Sequence, residues 1–527
     1  MDLPTLKTRY PDAEAVVLSE LPRGTASVLC RTAFGKVHPA RLVEGSAVLT
    51  DLPVGTHAIE CWSPDGALLA EDFTTISRSP GDDPVMGFTT SFGTDRVHGV
   101  LSWLRQLRCT VVQFYDWMQR YSAPLAMSEE YADPLGRPLR RSSLGRLVAG
   151  VRELGAVAQA YAPVCAAEPG FAERQRNWLL FRNDGASQHL GDLLEIMDPG
   201  SAGWQDHWLS AYGSAAEAIG FDGFHLDTYG YPRRALDATG TPLPMEVAYQ
   251  AFAARVRAAL PSATLSFNQV NGVPARFTVP APPAFRYVEV WPPNDRWRHL
   301  EGLIARSGGR DLRPGVLAIY PPVWKGGRAE ATRTVALTEA VATVLGAGLL
   351  VLGDDVGVLS GPYYPVHERL QEGEAAKILE WHRFALRCRD LFRDGEDTSW
   401  CDVGDENGAV RVEGPGVVAS PEPTAGTLFV RVARTGPTTA ISCLDLSGSA
   451  AGSWAEPTTM GKLRGAQIKV LVTAPDRCRA AVAVLGVAGG RFQEVELTPA
   501  SHREGRAVEL RLPIASGWSV ALVNEAH

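Results

Sequence analysis

The sequence predicts an α/β protein, a (β/α)8 TIM barrel held between two β-sandwich domains. Three observations carry that expectation. Residues 1–85, and again those after about 393, are short apolar runs cut by Pro/Gly turns. Between them, short β runs alternate with amphipathic helical stretches, the texture of a parallel sheet covered by helices. Acids, amides and aromatics recur where those β runs stop, and in a barrel the catalytic groups gather at the C-terminal ends of the strands. The expected divisions are 1–85, a small sandwich; 86–392, the barrel; and 393–527, a second sandwich.

In the first division the runs Ala15–Leu18, Ala26–Cys30, Ala47–Leu49 and His57–Trp62 are separated by Pro-Arg-Gly, Pro-Val-Gly and Pro-Asp-Gly. Strands at that spacing suit a small sandwich. Cys30 and Cys61 read as core residues, and Ser-Pro-Gly-Asp-Asp-Pro at 79–84 as a linker.

The middle division opens with a helix at about Asp95 to Leu107. Eight strands follow: Thr110–Phe114, Ala156–Ala162, Leu193–Met197, Gly223–Leu226, Thr264–Phe267, Tyr287–Val290, Val316–Tyr320 and Leu349–Leu352. Apolar periodicity marks helices at Leu144–Leu154, Trp204–Ile219, Met245–Leu260, Trp297–Ser307, Ala329–Leu345 and Ala375–Phe392. The stretch Glu168–His189 is poorly periodic. A doubly wound open sheet is the alternative, but neither Gly-x-Gly-x-x-Gly nor a P-loop follows the first strand. In the last division, eight alternating or apolar runs between Ala409 and Val523 are separated by glycine-rich turns.

The chain has 527 residues, too many for a single core. Its net charge of −8 speaks against nucleic acid or an anionic membrane as partner and suits a neutral substrate. No apolar run approaches 18 residues, and the first residues lack the apolar segment of a secretory signal. The expectation is a cytoplasmic protein, or a secreted one if a leader has been removed. Eight scattered cysteines form neither a zinc motif nor a disulfide framework. His207, His225 and His299 are isolated, and no metal or cofactor is expected.

One stretch organises the chemistry: Gly220-Phe-Asp-Gly-Phe-His-Leu-Asp-Thr-Tyr-Gly230. It follows a helical pattern, runs briefly as a strand, and places Asp227 where the strand gives out. Asp227 can be read as a helix N-cap or as a reacting group. Tyr287-Val-Glu-Val-Trp-Pro292 is a second such strand, interrupted by Glu289, a residue type seldom buried without a purpose. The other strand ends carry Tyr115, Asp116 and Trp117; Tyr161; Asp198; Asn268 and Asn271; Trp291; Tyr320 with Trp324; and Asp354 with Asp355. Aromatic faces stack on pyranose rings, and carboxylates and amides bond their hydroxyls. With no Gly-x-Ser-x-Gly elbow, a carboxylate pair is left as the machinery, and that is what glycoside cleavage uses.

These pieces resemble glycoside hydrolase family 66, the dextranases and cycloisomaltooligosaccharide glucanotransferases. The matching segments are Gln113-Phe-Tyr-Asp-Trp-Met118, Asp133-Pro-Leu-Gly-Arg137, Trp204-Gln205, the 220–230 stretch, Phe267-Asn-Gln-Val-Asn271, Tyr287-Val-Glu-Val-Trp291, and Leu352-Gly-Asp-Asp355 with Tyr364-Pro365. The resemblance implies a retaining mechanism on α-1,6-linked glucan, dextran or isomaltooligosaccharide, with Asp227 as nucleophile and Glu289 as acid/base. It also implies a sugar site lined by Tyr115, Asp116, Tyr161, Asn268 and Asp354. Asp198, His225, Trp291, Tyr320 and Trp324 are the further candidates for substrate contact. The flanking divisions look like the family's N-terminal immunoglobulin-like and C-terminal β-sandwich domains. Besides the missing secretory signal, unusual for enzymes that meet an extracellular polymer, two features depart from the family. Tyr229-Gly-Tyr-Pro-Arg-Arg234 is more aromatic and basic than its pattern leads one to expect. The segment between the seventh and eighth strands is too short for the carbohydrate-binding insertion of the cyclising enzymes. The expected activity is an endo-acting, dextranase-like hydrolase. A transglycosylase using the same two residues is the close rival, and a non-catalytic carbohydrate-binding protein the distant one.

Overall fold

The computed structural model describes residues 3–93, 96–228, 230–273, 284–306, 315–403, 408–473, 478–502 and 505–525. Asp95, Tyr229 and Ser307, each within a segment expected from the sequence, lie outside the described residues. The protein is mixed α/β and is dominated by an eleven-stranded curled sheet. Its parallel strands are β1 (Met86–Thr89), β2 (Val111–Phe114), β3 (Val157–Pro163), β4 (Gly223–Asp227), β5 (Thr264–Val270), β6 (Phe285–Glu289), β7 (Gly315–Ala318) and β8 (Gly348–Leu350). One residue beyond β8, strand β9 (Leu352–Gly353) pairs through Gly353 with Phe88 of β1. The segment 348–353 thus pairs with β7 through β8 and with β1 through β9. Two antiparallel strands, Gly357–Leu359 and His367–Arg369, complete the sheet.

Two strand assignments need correction. Leu193–Met197 does not join the curled sheet. Leu194–Ile196 pairs antiparallel with Ala166–Ala167 and His189–Leu190 in a small separate sheet. The reason lies in its pattern: Leu194 and Ile196 are buried while Glu195 between them is half-buried. A strand covered on both faces reads apolar throughout; one that alternates has one face turned away from the core. β3 and β4 pair directly, and the series is instead made up to eight on the far side of β2 by β1, all four of whose residues are buried. At four residues, following a Pro-rich linker, it reads in sequence as the linker's end.

Helices cover the outside of the sheet at Val97–Gln106, Arg141–Glu153, Ala202–Ile219, Met245–Ala259, Trp297–Arg306 and Arg328–Val344. The helix Ala202–Ile219 stops at Gly220, whose φ of 92° is left-handed and free of penalty only for glycine. The aperiodic stretch 168–189 holds a short helix, Pro169–Arg174, and one 3₁₀ turn, Arg176–Trp178. Among the described residues no helix is long and apolar enough to cross a membrane.

Before the curled sheet, a five-stranded and a three-stranded sheet enclose Val16, Cys30, Leu49, Ile59 and Cys61. After it, a seven-stranded and a four-stranded sheet share a core that includes Val430, Ile441, Val470, Leu510 and Ala521. The long helix Glu372–Arg393 joins the parts. Arg387 bonds Glu71 at 2.7 Å on one side, and Phe384 packs edge-on against Trp518 at 4.8 Å on the other.

Candidate active site

Alternation along each strand sends every second side chain into the curl of the sheet. On β4 these are His225 and Asp227, on β5 Ser266 and Asn268, on β6 Tyr287 and Glu289, and on β3 Gln159 and Tyr161. Register then stacks them. His225 lies beside Tyr161 and Ser266, and Asn268 beside Tyr287.

At the C-terminal ends the carboxyls of Asp227 and Glu289 face one another across Asn268. The Asn268 Nδ2 donates to Asp227 Oδ1 at 2.7 Å and to Glu289 Oε2 at 2.9 Å. Those two oxygens therefore lie no further apart than two hydrogen bonds laid end to end, short of the ~6.5 Å at which inverting pairs begin. The other Asp227 oxygen accepts from Tyr161 Oη at 2.7 Å, and Glu289 Oε1 accepts from Tyr320 Oη at 2.8 Å. Burial, and next the Asp227 charge, raise the Glu289 pKa, while hydrogen bonds from Asn268, Trp291 and Tyr320 pull it back. Burial of one carboxyl beside another keeps that group protonated to higher pH, the condition of a proton donor.

Beneath the pair lies a neutral floor. Ser266 Oγ donates to Gln159 Oε1 at 2.9 Å, so His225 Nδ1 carries the proton that meets Ser266 Oγ, also at 2.9 Å. Burial lowers the His225 pKa to about 4. The imidazole lies face to face with Tyr161 at 6.3 Å and meets Tyr287 edge-on at 4.3 Å. It supports Tyr161 from one level below the carboxylates.

The aromatic wall is continuous. Tyr115 packs on Tyr161 at 4.6 Å and stacks on Tyr364 at 4.3 Å. Tyr364 meets Tyr320 at 5.9 Å, and Tyr320 meets Trp291 at 6.4 Å. Hydroxyls join Tyr287, Tyr364 and Tyr320 into a chain that ends on Glu289. Trp291 alone in this wall is well exposed, at 37%, with its backbone N–H bonded to Asn271 Oδ1 at 2.8 Å. Trp291→Ala is expected to raise KM several-fold and leave the melting temperature unchanged, since an exposed platform contributes little to folding. Kinetics and calorimetry on one preparation separate the two effects. An unchanged KM with a lowered melting temperature makes Trp291 a core residue.

Asp116 is a third buried carboxyl on this face, with φ 47° at the end of β2. Burial chiefly, then the charge of Asp133, pushes its pKa up to about 7; Arg137 opposes this and Asp227 adds to it. Its carbonyl is held by Arg137 Nη2 at 3.0 Å, and Arg137 is itself locked to Asp133 through Nε at 3.0 Å.

Three candidates are placed elsewhere. Asp354 is fully buried, and its oxygens already accept from Thr90 N and Oγ1, Ser91 Oγ and Asp355 N at 2.5–2.8 Å. It pins the turn after β9 to the residue after β1 and has no acceptor left for a sugar. Asp354→Ala is expected to cost roughly 3–5 kcal/mol by stranding these donors; denaturant melts read it, and a loss under 1 kcal/mol overturns the clamp. Asp198 closes a turn, its Oδ1 accepting from Gly200 N at 2.7 Å just before helix Ala202–Ile219, and its charged neighbour is Asp237 rather than the central pair. Trp324 is buried under the Arg328 guanidinium at 5.3 Å and takes no part in the ring wall. Tyr287 and Tyr364 join the site although the sequence marks them only as parts of family-matching segments and not as site candidates. Tyr287 stands two residues before Glu289, so alternation alone marks it as sharing that face. Tyr364 arrives on a loop that no periodicity reports. Among the described residues no group of three or more His, Cys, Asp or Glu side chains is disposed to hold a metal ion.

The family model for glycosyl hydrolase family 66 matches residues 70–522. Two cycloisomaltooligosaccharide glucanotransferases of Niallia circulans are similar, one 22% identical over 293 residues (49% of this chain, 30% of that protein) and one 24% identical over 235 residues (40% and 24%). The chain thus spans less than a third of the length of the curated relatives it matches. Among solved structures, a Paenibacillus cycloisomaltooligosaccharide glucanotransferase complexed with cycloisomaltoheptaose superposes with a TM-score of 0.80 at 16% identity, covering 98% of each chain. An α-amylase of Geobacillus thermoleovorans complexed with acarbose superposes with a TM-score of 0.54 at 10% identity, covering 86% of this chain and all of that one. Both likenesses are of fold.

Proposed function

The chain belongs to glycosyl hydrolase family 66, and from that premise we propose that it is a retaining glycosidase of α-1,6-linked glucan. Asp227 is the nucleophile and Glu289 the acid/base. One observation carries the reading: Asn268 holds an oxygen of each carboxyl on a single nitrogen. That spacing suits a retaining pair, at ~5–5.5 Å, and leaves too little room for the water an inverting pair activates. Glu289 starts protonated and gives its proton to the leaving oxygen while Asp227 attacks the anomeric carbon. Glu289 then takes a proton from the acceptor that releases the sugar. Tyr161 and Asn268 hold the Asp227 oxygens in place for that attack. Tyr115, Asp116 and Trp291 contact the substrate ring.

The architecture that supports this is a closed (β/α)8 barrel, its eighth strand divided between β8 and β9, with β domains at 1–85 and 393–527. Proton NMR of the first-formed product from isomaltooligosaccharides tests the mechanism. Initial α-anomer is expected; initial β-anomer sinks the retaining claim. Transfer to a sugar acceptor is the second reading, favoured because the similar Niallia proteins bear the name glucanotransferase. Chromatography for cyclic or elongated products decides between water and sugar as acceptor.

A further inference from the structure

Two of the large exposed aromatics stand on loops that leave the catalytic strands, Trp291 after Glu289 and Tyr231 after Asp227, at 37% and 40% exposure. Both are tied to the same turn at the end of β5. Trp291 is held by Asn271. Tyr231 follows Gly230, whose φ is +68° and whose α-carbon presses so closely on Val270 that a Cβ there would meet the valine Cβ at 2.6 Å. Any side chain at 230 would push the Tyr231 loop away from the site.

The Tyr231 ring is fixed but uncovered. Its hydroxyl donates to the His189 carbonyl at 2.6 Å, bridging to the small antiparallel sheet of the preceding loop. The phenol proton is thereby committed, so what the residue chiefly offers a ligand is its face. Leu190 of that sheet and Leu193 of its turn follow the tethering residue, 37% and 38% exposed, and Arg233 and Arg234, just after Tyr231 in the chain, are exposed. An anchored, open ring followed in the chain by two exposed arginines is chemistry that receives the apolar face of a pyranose and its hydroxyls.

We propose that Tyr231 is the platform of a further sugar subsite, holding a glucosyl unit of the same α-glucan beyond the ring that sits between Asp227 and Glu289. The inference rests on the proposed function, and it gives the aromatic and basic turn after Asp227 a purpose. The occupant is set by continuity: the platform rises from the nucleophile's own loop and shares its anchor with Trp291.

The test is calorimetric titration of the full chain bearing Glu289→Gln with isomaltooligosaccharides of two to seven units, with and without Tyr231→Ala, alongside kcat/KM on the otherwise native protein. Tyr231→Ala is expected to weaken binding and lower kcat/KM roughly tenfold for the longer members and to leave the disaccharide unchanged. Tyr231→Phe keeps the ring and loses only the tether, and is expected to lose about two- to threefold. Equal losses at every length, or none at any, overturn the subsite while wild-type turnover leaves the function standing. Length-dependent binding without turnover supports the subsite and sinks the glycosidase reading alone. If nothing in the series is bound or turned over, both fall.

Discussion

Asp227→Ala is expected to lower kcat by about 10⁴-fold or more on every α-glucoside the protein accepts, because without the carboxylate no glycosyl–enzyme bond forms. The residue ends β4 and is 7% exposed, and both of its oxygens are held, by Tyr161 and by Asn268. Its removal leaves the partners that hold Glu289 in place: Tyr320 still reaches Oε1, and Asn268 still reaches Oε2. The loss of activity should therefore fall on the chemical step and leave KM close to native, while stranding the buried Tyr161 and Asn268 donors lowers the melting temperature. Leaving-group ability should not rescue it, since even an activated fluoride donor needs an attacking group. Azide placed in the vacated space attacks an α-donor directly and inverts it, so the product is the β-glycosyl azide. Turnover within tenfold of the native protein would remove Asp227 from the chemistry and return it to the N-cap reading.

How far the site was legible follows from where each residue sits. Asp227 and Glu289 interrupt short apolar strands, so a carboxyl at a strand end stands out without a structure. Asn268, Tyr161 and Tyr320 follow by the same rule, since strand ends share one rim. Asp354 and Asp198 obey that rule in sequence and break it in space. One is consumed by the closing turn after β9, the other by a turn before a helix. A strand end and a turn look alike when read along the chain, and only the donors that surround the carboxylate separate them. The fold shows the same limit. Helices with clear periodicity fell within a few residues of their observed bounds. The sequence passes over β1 and offers Leu194–Ile196 in its stead, because four buried residues carry no period while an alternating apolar triplet resembles any strand. Tyr364, central to the hydroxyl chain, comes from a loop without periodicity, and only the family match at Tyr364-Pro365 points to it.

Glu289→Ala is expected to divide substrates by their leaving groups, which Asp227→Ala does not. Natural linkages need the proton, so kcat/KM on isomaltooligosaccharides should fall by ~10²–10⁴-fold. A nitrophenyl or fluoride α-glucoside needs little protonation; its glycosyl–enzyme forms in a burst and then stalls, because no base activates water. Azide needs no base. It should restore turnover and, attacking after a first inversion, give the α-glycosyl azide, opposite to the Asp227→Ala product. The pH profile carries the same assignment. Burial and the Asp227 charge raise the Glu289 pKa, so the protonated acid persists to higher pH than an ordinary glutamate and activity falls as pH rises through that raised value. In Glu289→Gln, measured on an activated donor, that alkaline limb should vanish while the acid limb stays. If the azide anomers come out reversed between the two variants, the roles of Asp227 and Glu289 are exchanged. If the alkaline limb survives in Glu289→Gln, another group is the proton donor, and Asp116, held near pH 7 on the same face, is the first to replace next.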